Sequence, residues 1–201
     1  MRSNWNEPRF SGSAARYKSV SDAVALANPK NIVEYLCHSS TEELCAFGRT
    51  HQPALSKTVP DYGETRRSLG AELDWRKLPA KCQISVAALF ETARDHWSYD
   101  LFDEPPQLNF LRYSKGDFFA WHLDVGGNGV AWRKISFSIQ LSPPSDYDGG
   151  DLEIFNSATT VANRSLGSVC LFPSFVPHRV TPVTRGTRFA LAGWFCGPQF
   201  K

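Results

Sequence analysis

The sequence predicts a mainly β protein with flanking α-helices, its strands forming a sandwich or barrel rather than a parallel sheet. Three observations carry that expectation. Short runs rich in β-branched and aromatic residues follow one another at 108–113, 118–124, 135–141, 152–155, 168–172, 178–183 and 187–195. Turn-forming residues punctuate them: Gly126-Gly127-Asn128-Gly129, Pro143-Pro144, Gly149-Gly150 and Arg185-Gly186. Many short strands at such spacing favour a closed or sandwiched sheet. Helical spacing lies only before Pro105-Pro106, so the leading helices are expected to cover one outer face.

Taken in chain order, residues 1–18 are polar and rich in Ser, Arg and Asn, and read as a loose arm. Ser40-Thr41-Glu42-Glu43 has capping-box spacing and predicts a helix from there through Phe47. The segment 52–67 carries two prolines and a glycine and reads as a loop. A longer helix is predicted over 80–97, where Ile84, Ala87, Ala88 and Ala93 recur with roughly helical spacing. Phe102-Asp103-Glu104-Pro105-Pro106 stops any helix. With no internal repeat, the reading is one domain over 1–201: the arm 1–18, a helical support and substrate-side region 19–106, and a β core 107–197.

At 201 residues, with 42% hydrophobic and 21% charged residues, the chain has the makings of one well-buried core. A formal net charge of +2 gives no broad basic face, so nucleic acid is not the expected partner. The start is polar and lacks the apolar run of a secretion signal. No stretch approaches the roughly 18 apolar residues that cross a bilayer. Five cysteines, an odd number with no C-x-x-C pair, are expected to be reduced and mostly buried in a cytoplasmic protein.

The chemistry-bearing residues lie in the β half. His122 is followed two residues later by Asp124 in an alternating pattern, and residues at i and i+2 of a strand share a face. One strand can thus present an imidazole and a carboxylate to one point. His178, opening a later run after Phe175-Val176-Pro177, is a candidate third ligand, although taken alone it also suits a structural histidine. Two histidines and one carboxylate leave three positions of a metal open, the facial arrangement of non-heme Fe(II) oxygenases. In the last run, Arg188, Ala190, Ala192 and Trp194 share one face and Phe189, Leu191, Gly193 and Phe195 the other. Both faces are mostly apolar, so Arg188 is expected to be buried and to need an anion, either a ligand or an acidic side chain. Arg185, beside Gly186, is expected in a solvated turn.

These residues fall within a longer resemblance. Tyr113-Ser-Lys-Gly116-Asp-Phe-Phe119-Ala-Trp-His122-Leu-Asp124 resembles the Y-x-x-G-x-x-[YF]-x-x-H-x-D stretch of prolyl-4-hydroxylase-like 2-oxoglutarate/Fe(II) dioxygenases. His178-Arg-Val-Thr-Pro-Val-Thr-Arg-Gly-Thr-Arg188 is similar to their distal H-x-V-x-P-V-x-x-G-x-R stretch. The run 135–141 and Asp148-Gly-Gly-Asp-Leu-Glu-Ile154 are similar to the family's middle strands. The likeness spans about 108–195 and points in particular to the small PKHD-type hydroxylase branch. Arg67-Ser68 resembles a segment near the substrate site in relatives.

The resemblance implies a double-stranded β-helix (jelly roll or cupin-like) with Fe(II) on His122, Asp124 and His178. It implies that Arg188, helped by Tyr113, binds the distal carboxylate of the cosubstrate 2-oxoglutarate. Ser136, Ser138, Gln140, Leu152 and Trp194 would face the cavity, Gln140 standing where some relatives carry a tyrosine; Trp121 would be a wall or lid. The implied activity is O2-dependent hydroxylation of an unactivated C–H bond, of a peptidyl or free amino acid (proline-like) or a small natural product. Related halogenases lack the carboxylate, so Asp124 favours hydroxylation. The alternatives are an oxidative demethylase of nucleic acid or protein, and a non-catalytic iron or 2-oxoglutarate sensor. The loop 125–132 and the N-terminal half are expected to shape the pocket.

Overall fold

The computed structural model describes residues 26–28, 32–36, 41–50, 56–57, 64–127 and 129–200, so the expected arm 1–18 lies outside the described residues. Its elements, in chain order, are β1 (Leu26–Asn28), β2 (Ile32–Leu36), α1 (Thr41–Thr50), β3 (Ser56–Lys57), β4 (Arg66–Arg67), β5 (Leu69–Glu72) and α2 (Ala80–Trp97). Then follow β6 (Gln107–Ser114), β7 (Phe118–His122), β8 (Arg133–Gln140), β9 (Tyr147–Gly149), β10 (Leu152–Asn156), β11 (Ala158–Val161), β12 (Ser168–Pro173), β13 (His178–Val180) and β14 (Val183–Cys196). The larger sheet runs β1-β2-β12-β8-β14-β6-β5-β3, with β9 on one end of β14; the smaller runs β11-β10-β13-β7-β4. Every pairing is antiparallel. The result is mainly β with flanking helices, in the manner of a double-stranded β-helix.

The alternation of β14 decides how the layers stack. Its odd residues Leu191 and Phe195 pack outward with Leu108, Phe110, Ile135, Phe137, Ile139 and Leu171, under a cover of Leu44 from α1 and Cys82, Val86, Leu89, Phe90 and Ala93 from α2. Fully burying side chains of this size contributes roughly 1.5–3 kcal/mol each. The even residues Arg188, Ala190, Ala192 and Trp194 face the interior between the sheets. There Leu111 and Tyr113 of β6, Leu152 and Ile154 of β10, Cys170 and Phe172 of β12 and Val180 of β13 form a second, smaller cluster. Gly193 faces the helices, and a Cβ there would overlap the Phe137 ring.

Several boundaries differ from the sequence expectations, each for a physical reason. The first helix extends to Thr50, its last turn carrying Arg49, which suits the negative end of the helix dipole. The second helix keeps its expected span, stopping at Trp97 where Ser98 turns left-handed at φ 52°. β7 ends at His122, because the Asp124 N–H leaves the ladder and donates to the Ser174 carbonyl at 2.9 Å. The run at 178–183 is cut to β13 by Pro182, which has no N–H to donate. Arg185-Gly186 is no turn but part of β14, where Gly186 takes φ +73° opposite β9 and a Cβ would strike the Asp146 carbonyl. Arg185 pairs with Asp148 at 2.6 Å on the surface. The segment expected to be a loop contains β3 and β4. Cys45, Cys82 and Cys170 are buried and Cys196 is half-buried; Cys37 lies outside the described residues.

Candidate metal centre

His122, Asp124 and His178 are brought together from two neighbouring strands of the smaller sheet. β13 pairs antiparallel with β7, and His178 stands directly across from His122. The ring centroids are 4.1 Å apart. Asp124 sits two residues past His122, its oxygens 3.6 Å from His122 Nε2 and 3.3 Å from His178 Nε2. One donor atom from each residue falls within 4.8 Å of the others, a separation that could hold a metal ion.

The hydrogen bonds fix which nitrogen each imidazole offers. His122 Nδ1 lies 2.8 Å from the Ala120 carbonyl and His178 Nδ1 2.9 Å from the Val176 carbonyl. A carbonyl only accepts, so both Nδ1 atoms carry the proton and both Nε2 atoms present lone pairs toward Asp124. Lone pairs aimed at an anion repel unless a proton or a cation lies between them, and a divalent cation satisfies all three groups at once. The donor set of two imidazoles and one carboxylate fits iron. Burial first, and the neighbouring His178 charge, push the His122 pKa below its ordinary value, which favours the neutral, ligating form. Burial also works to raise the Asp124 pKa, but in the absence of a cation a proton on Nε2 of His122 or His178 outweighs it, by hydrogen bond and by charge, and holds the carboxyl well below the usual carboxylate range.

Asp124 is steered from behind. Ser136 Oγ donates to Asp124 Oδ2 at 2.7 Å, and Ser174 Oγ lies 3.0 Å from Ser136 Oγ. The single Ser136 proton goes to the carboxylate, so Ser174 is the donor in the second bond. Ser136 and Ser174 are buried, at 2% and 0% exposure, and no bulk water substitutes for them. Ser136, expected to face the cavity, spends its hydroxyl on Asp124 and Ser174.

A cavity of about 400 Å³ opens over this cluster. Tyr113, Ser138, Leu152, Ala190, Ala192, Trp194 and Arg188 line it along with the three candidate ligands. Arg188, only 3% exposed, stands opposite Tyr113 in the β6–β14 ladder, its guanidinium 5.6 Å from the Tyr113 ring centre. Its Nε donates to Gln140 Oε1 at 3.1 Å. Gln140 Nε2 in turn donates to Tyr147 Oη at 2.8 Å and to the Ser142 carbonyl at 3.0 Å, which fixes the amide orientation. Among the described residues no carboxylate pairs with Arg188. A buried guanidinium held by a neutral amide keeps its charge available to an anion from the cavity.

The sequence did not single out Arg66, Asn109, Phe119 or Arg133 as cavity-lining residues, nor Tyr147 behind Gln140. Arg66 comes in on β4, which extends the smaller sheet beside β7, opposite Phe119. Its Nε donates to the buried Ser68 Oγ at 2.8 Å. Arg133 enters where the β8–β14 register shifts between Phe195 and Cys196, so simple alternation along β8 does not predict its facing. Trp121 is 42% exposed, beside Phe155 and under the Arg179 guanidinium, outside the cavity lining. Of the loop expected to shape the pocket, Val130 lines it.

The sequence model of the 2OG-Fe(II) oxygenase superfamily matches residues 108–196. A PKHD-type hydroxylase of Idiomarina loihiensis is 41% identical over 90 residues, 44% of this chain and 41% of that protein. One of Hyphomonas neptunium is 45% identical over 85 residues, 40% of this chain and 38% of that protein. One of Maricaulis maris is 30% identical over 131 residues, 59% and 60% respectively. The matched segment thus spans about two-fifths of the length of the first two relatives. Among solved structures, a Pseudomonas putida prolyl-4-hydroxylase superposes with a TM-score of 0.69 at 23% identity, covering 84% of this chain and 94% of that one. A Trichoplax adhaerens prolyl hydroxylase, solved with a hypoxia inducible factor peptide, gives 0.68 at 16% identity, covering 93% and 94%. These two likenesses establish the double-stranded β-helix fold. Over residues 108–196 the chain is therefore similar to the 2OG-Fe(II) oxygenase superfamily, and over a comparable stretch to PKHD-type hydroxylases.

Proposed function

We propose that this 2OG-Fe(II) oxygenase-type chain is a hydroxylase that couples O2 and 2-oxoglutarate to oxidation of an unactivated C–H bond. The acceptor class is a peptidyl or free amino acid, or a small natural product. In balance, R–H, O2 and 2-oxoglutarate give R–OH, succinate and CO2. The observation that carries the reading is the convergence of two Nε2 lone pairs and one carboxylate beneath a cavity whose far wall holds a buried arginine without an acidic partner. Fe(II), bound there with 2-oxoglutarate, supplies the activation of O2 and the hydrogen-abstracting power that no side chain has.

The chain's own residues have distinct tasks. His122 and His178, held by the Ala120 and Val176 carbonyls, present fixed nitrogens. Asp124 would supply the third ligand, its carboxylate held in place by the Ser136 hydroxyl on Oδ2. Arg188 takes the distal carboxylate of 2-oxoglutarate with two parallel hydrogen bonds, the geometry guanidinium suits best. Gln140 and Tyr113 set its orientation, and Leu152, Ala190 and Trp194 keep water from the interior face.

The test is succinate formation by protein reconstituted anaerobically with Fe(II) and then given 2-oxoglutarate and O2. His122→Ala is expected to lose turnover by at least about a hundredfold, since catalysis requires the bound metal. Equal succinate release by the variant would refute the assignment. A pure sensor of the same ligands would bind 2-oxoglutarate but release no succinate.

A further inference from the structure

We infer that the acceptor molecule carries an anionic group, a carboxylate or a phosphate, and that Arg66 and Arg133 hold it inside the cavity above the metal centre. This names the substrate class of the oxygenase proposed above and rests on that reading.

Arg94, Arg164, Arg179 and Arg185 are each paired with a carboxylate, from Glu91, Asp151, Glu153 and Asp148. Among the described residues Arg66 and Arg133 form no ion pair, and both line the cavity. Among the described residues, Asp124 is the one carboxylate in the cavity lining. Once the site is loaded, Asp124 and the cosubstrate offset the metal charge, and the distal carboxylate of the cosubstrate offsets Arg188. Two guanidinium charges are left over on the acceptor side. Around a neutral acceptor both would stay uncompensated in a partly dehydrated space, which is costly.

Both groups are also held ready. Each guanidinium lies on an aromatic face: Arg66 on Phe119 with its carbon 4.3 Å from the ring centre, Arg133 on Trp194 at 3.7 Å. Each uses Nε on a neutral oxygen, Arg66 on Ser68 at 2.8 Å and Arg133 on Gln107 at 3.0 Å. Cation–π contact plus one neutral hydrogen bond restricts the side chain without cancelling its charge. The terminal amino groups are then presented in a fixed fork, suited to a planar carboxylate or a phosphate. Burial pushes the Arg133 pKa down, Asp124 opposes this, and Arg66 adds to it, so the two cations repel and an anion between them relieves both. Phe119, beneath Arg66, is itself stacked on His122 with ring centres 3.4 Å apart. The anion site therefore lies only a ring or two from a metal ligand, and the oxidised C–H would sit within a few bonds of the anionic group.

The test uses the full chain loaded anaerobically with Mn(II) and 2-oxoglutarate. Mn(II) enhances the proton relaxation of any small molecule bound near it, so binding is read without turnover. The probes are L-amino acids, each beside its own carboxamide, and a matched set of phosphate monoesters. The acid is expected to bind about tenfold or more tighter than its amide, the effect of one charge-assisted pair. Arg66→Gln and Arg133→Gln should each cut the acid-to-amide ratio several-fold, with Arg66→Lys and Arg133→Lys restoring part of it because charge is kept. Preference for phosphate monoesters over carboxylates identifies the anion as a phosphate; the reverse identifies a carboxylate. Amides binding as well as their acids, or a ratio that survives the Arg66→Gln/Arg133→Gln double variant, overturns the inference while leaving the metal reading intact. Failure to bind Mn(II) at all overturns the metal reading, and the inference with it.

Discussion

Replacing Gln140 by glutamate tests how the cavity keeps a positive charge available. Gln140 Oε1 accepts from Arg188 Nε at 3.1 Å while its amide donates to Tyr147 and to the Ser142 carbonyl. Gln140→Glu keeps the shape but places a negative charge on one edge of the guanidinium. The distal carboxylate of 2-oxoglutarate would occupy the opposite edge, leaving two anions roughly 6 Å apart. At an effective dielectric constant of about 20 their repulsion is about 2.8 kcal/mol, or roughly a hundredfold in affinity. Gln140→Leu removes the hydrogen bonds without adding charge and should cost less, about tenfold at most. Isothermal titration of the Mn(II)-loaded proteins with 2-oxoglutarate measures both. Equal losses for the two variants, or none for Gln140→Glu, would show that Arg188 is not the anion's partner.

Three further outcomes follow from the geometry. Ser136→Ala removes the proton donor to Asp124 Oδ2 and should weaken Mn(II) binding about tenfold to a hundredfold, whereas Ser136→Thr, which keeps the hydroxyl, should recover most of it. The metal-free protein should lose stability on acidification below about pH 6.5: His122 resists protonation when folded but not when unfolded, so the unfolded state binds more protons there. The slope should end once the lowered folded value is passed; Asp124 adds a second loss only below its ordinary carboxylate range, and His122→Ala should flatten the first slope in a melting series from pH 8 to 5. Gly193→Ala forces a methyl into the Phe137 ring under the helices. It should cost roughly 1–3 kcal/mol and lower the melting temperature by several degrees, with Ala192→Gly, on the opposite face, as comparison.

Much of this protein could be read from residue order because the relevant rules are local. Alternation along 187–195 separates a helix-facing set from a cavity-facing set, and it does so correctly from Arg188 to Trp194 because β14 runs straight through that stretch. The helix over 80–97 follows from its own spacing and from the prolines beyond it. The His-x-Asp pair and the later histidine needed no partner information to be noticed. Partnership is another matter, because it depends on which strand lies across from which. Only the pairing of β13 with β7 sets His178 beside His122. Only the β8–β14 ladder gives Arg188 a neutral glutamine rather than an acid, and only the approach of Ser136 gives Asp124 a hydrogen bond from behind. The cavity arginines were invisible for the same reason: Arg66 reaches the site through a two-residue strand, Arg133 through a register shift, and neither leaves a periodic trace in the chain. Sequence periodicity specifies which way a side chain points; what it meets there is settled by contacts between residues far apart in the chain.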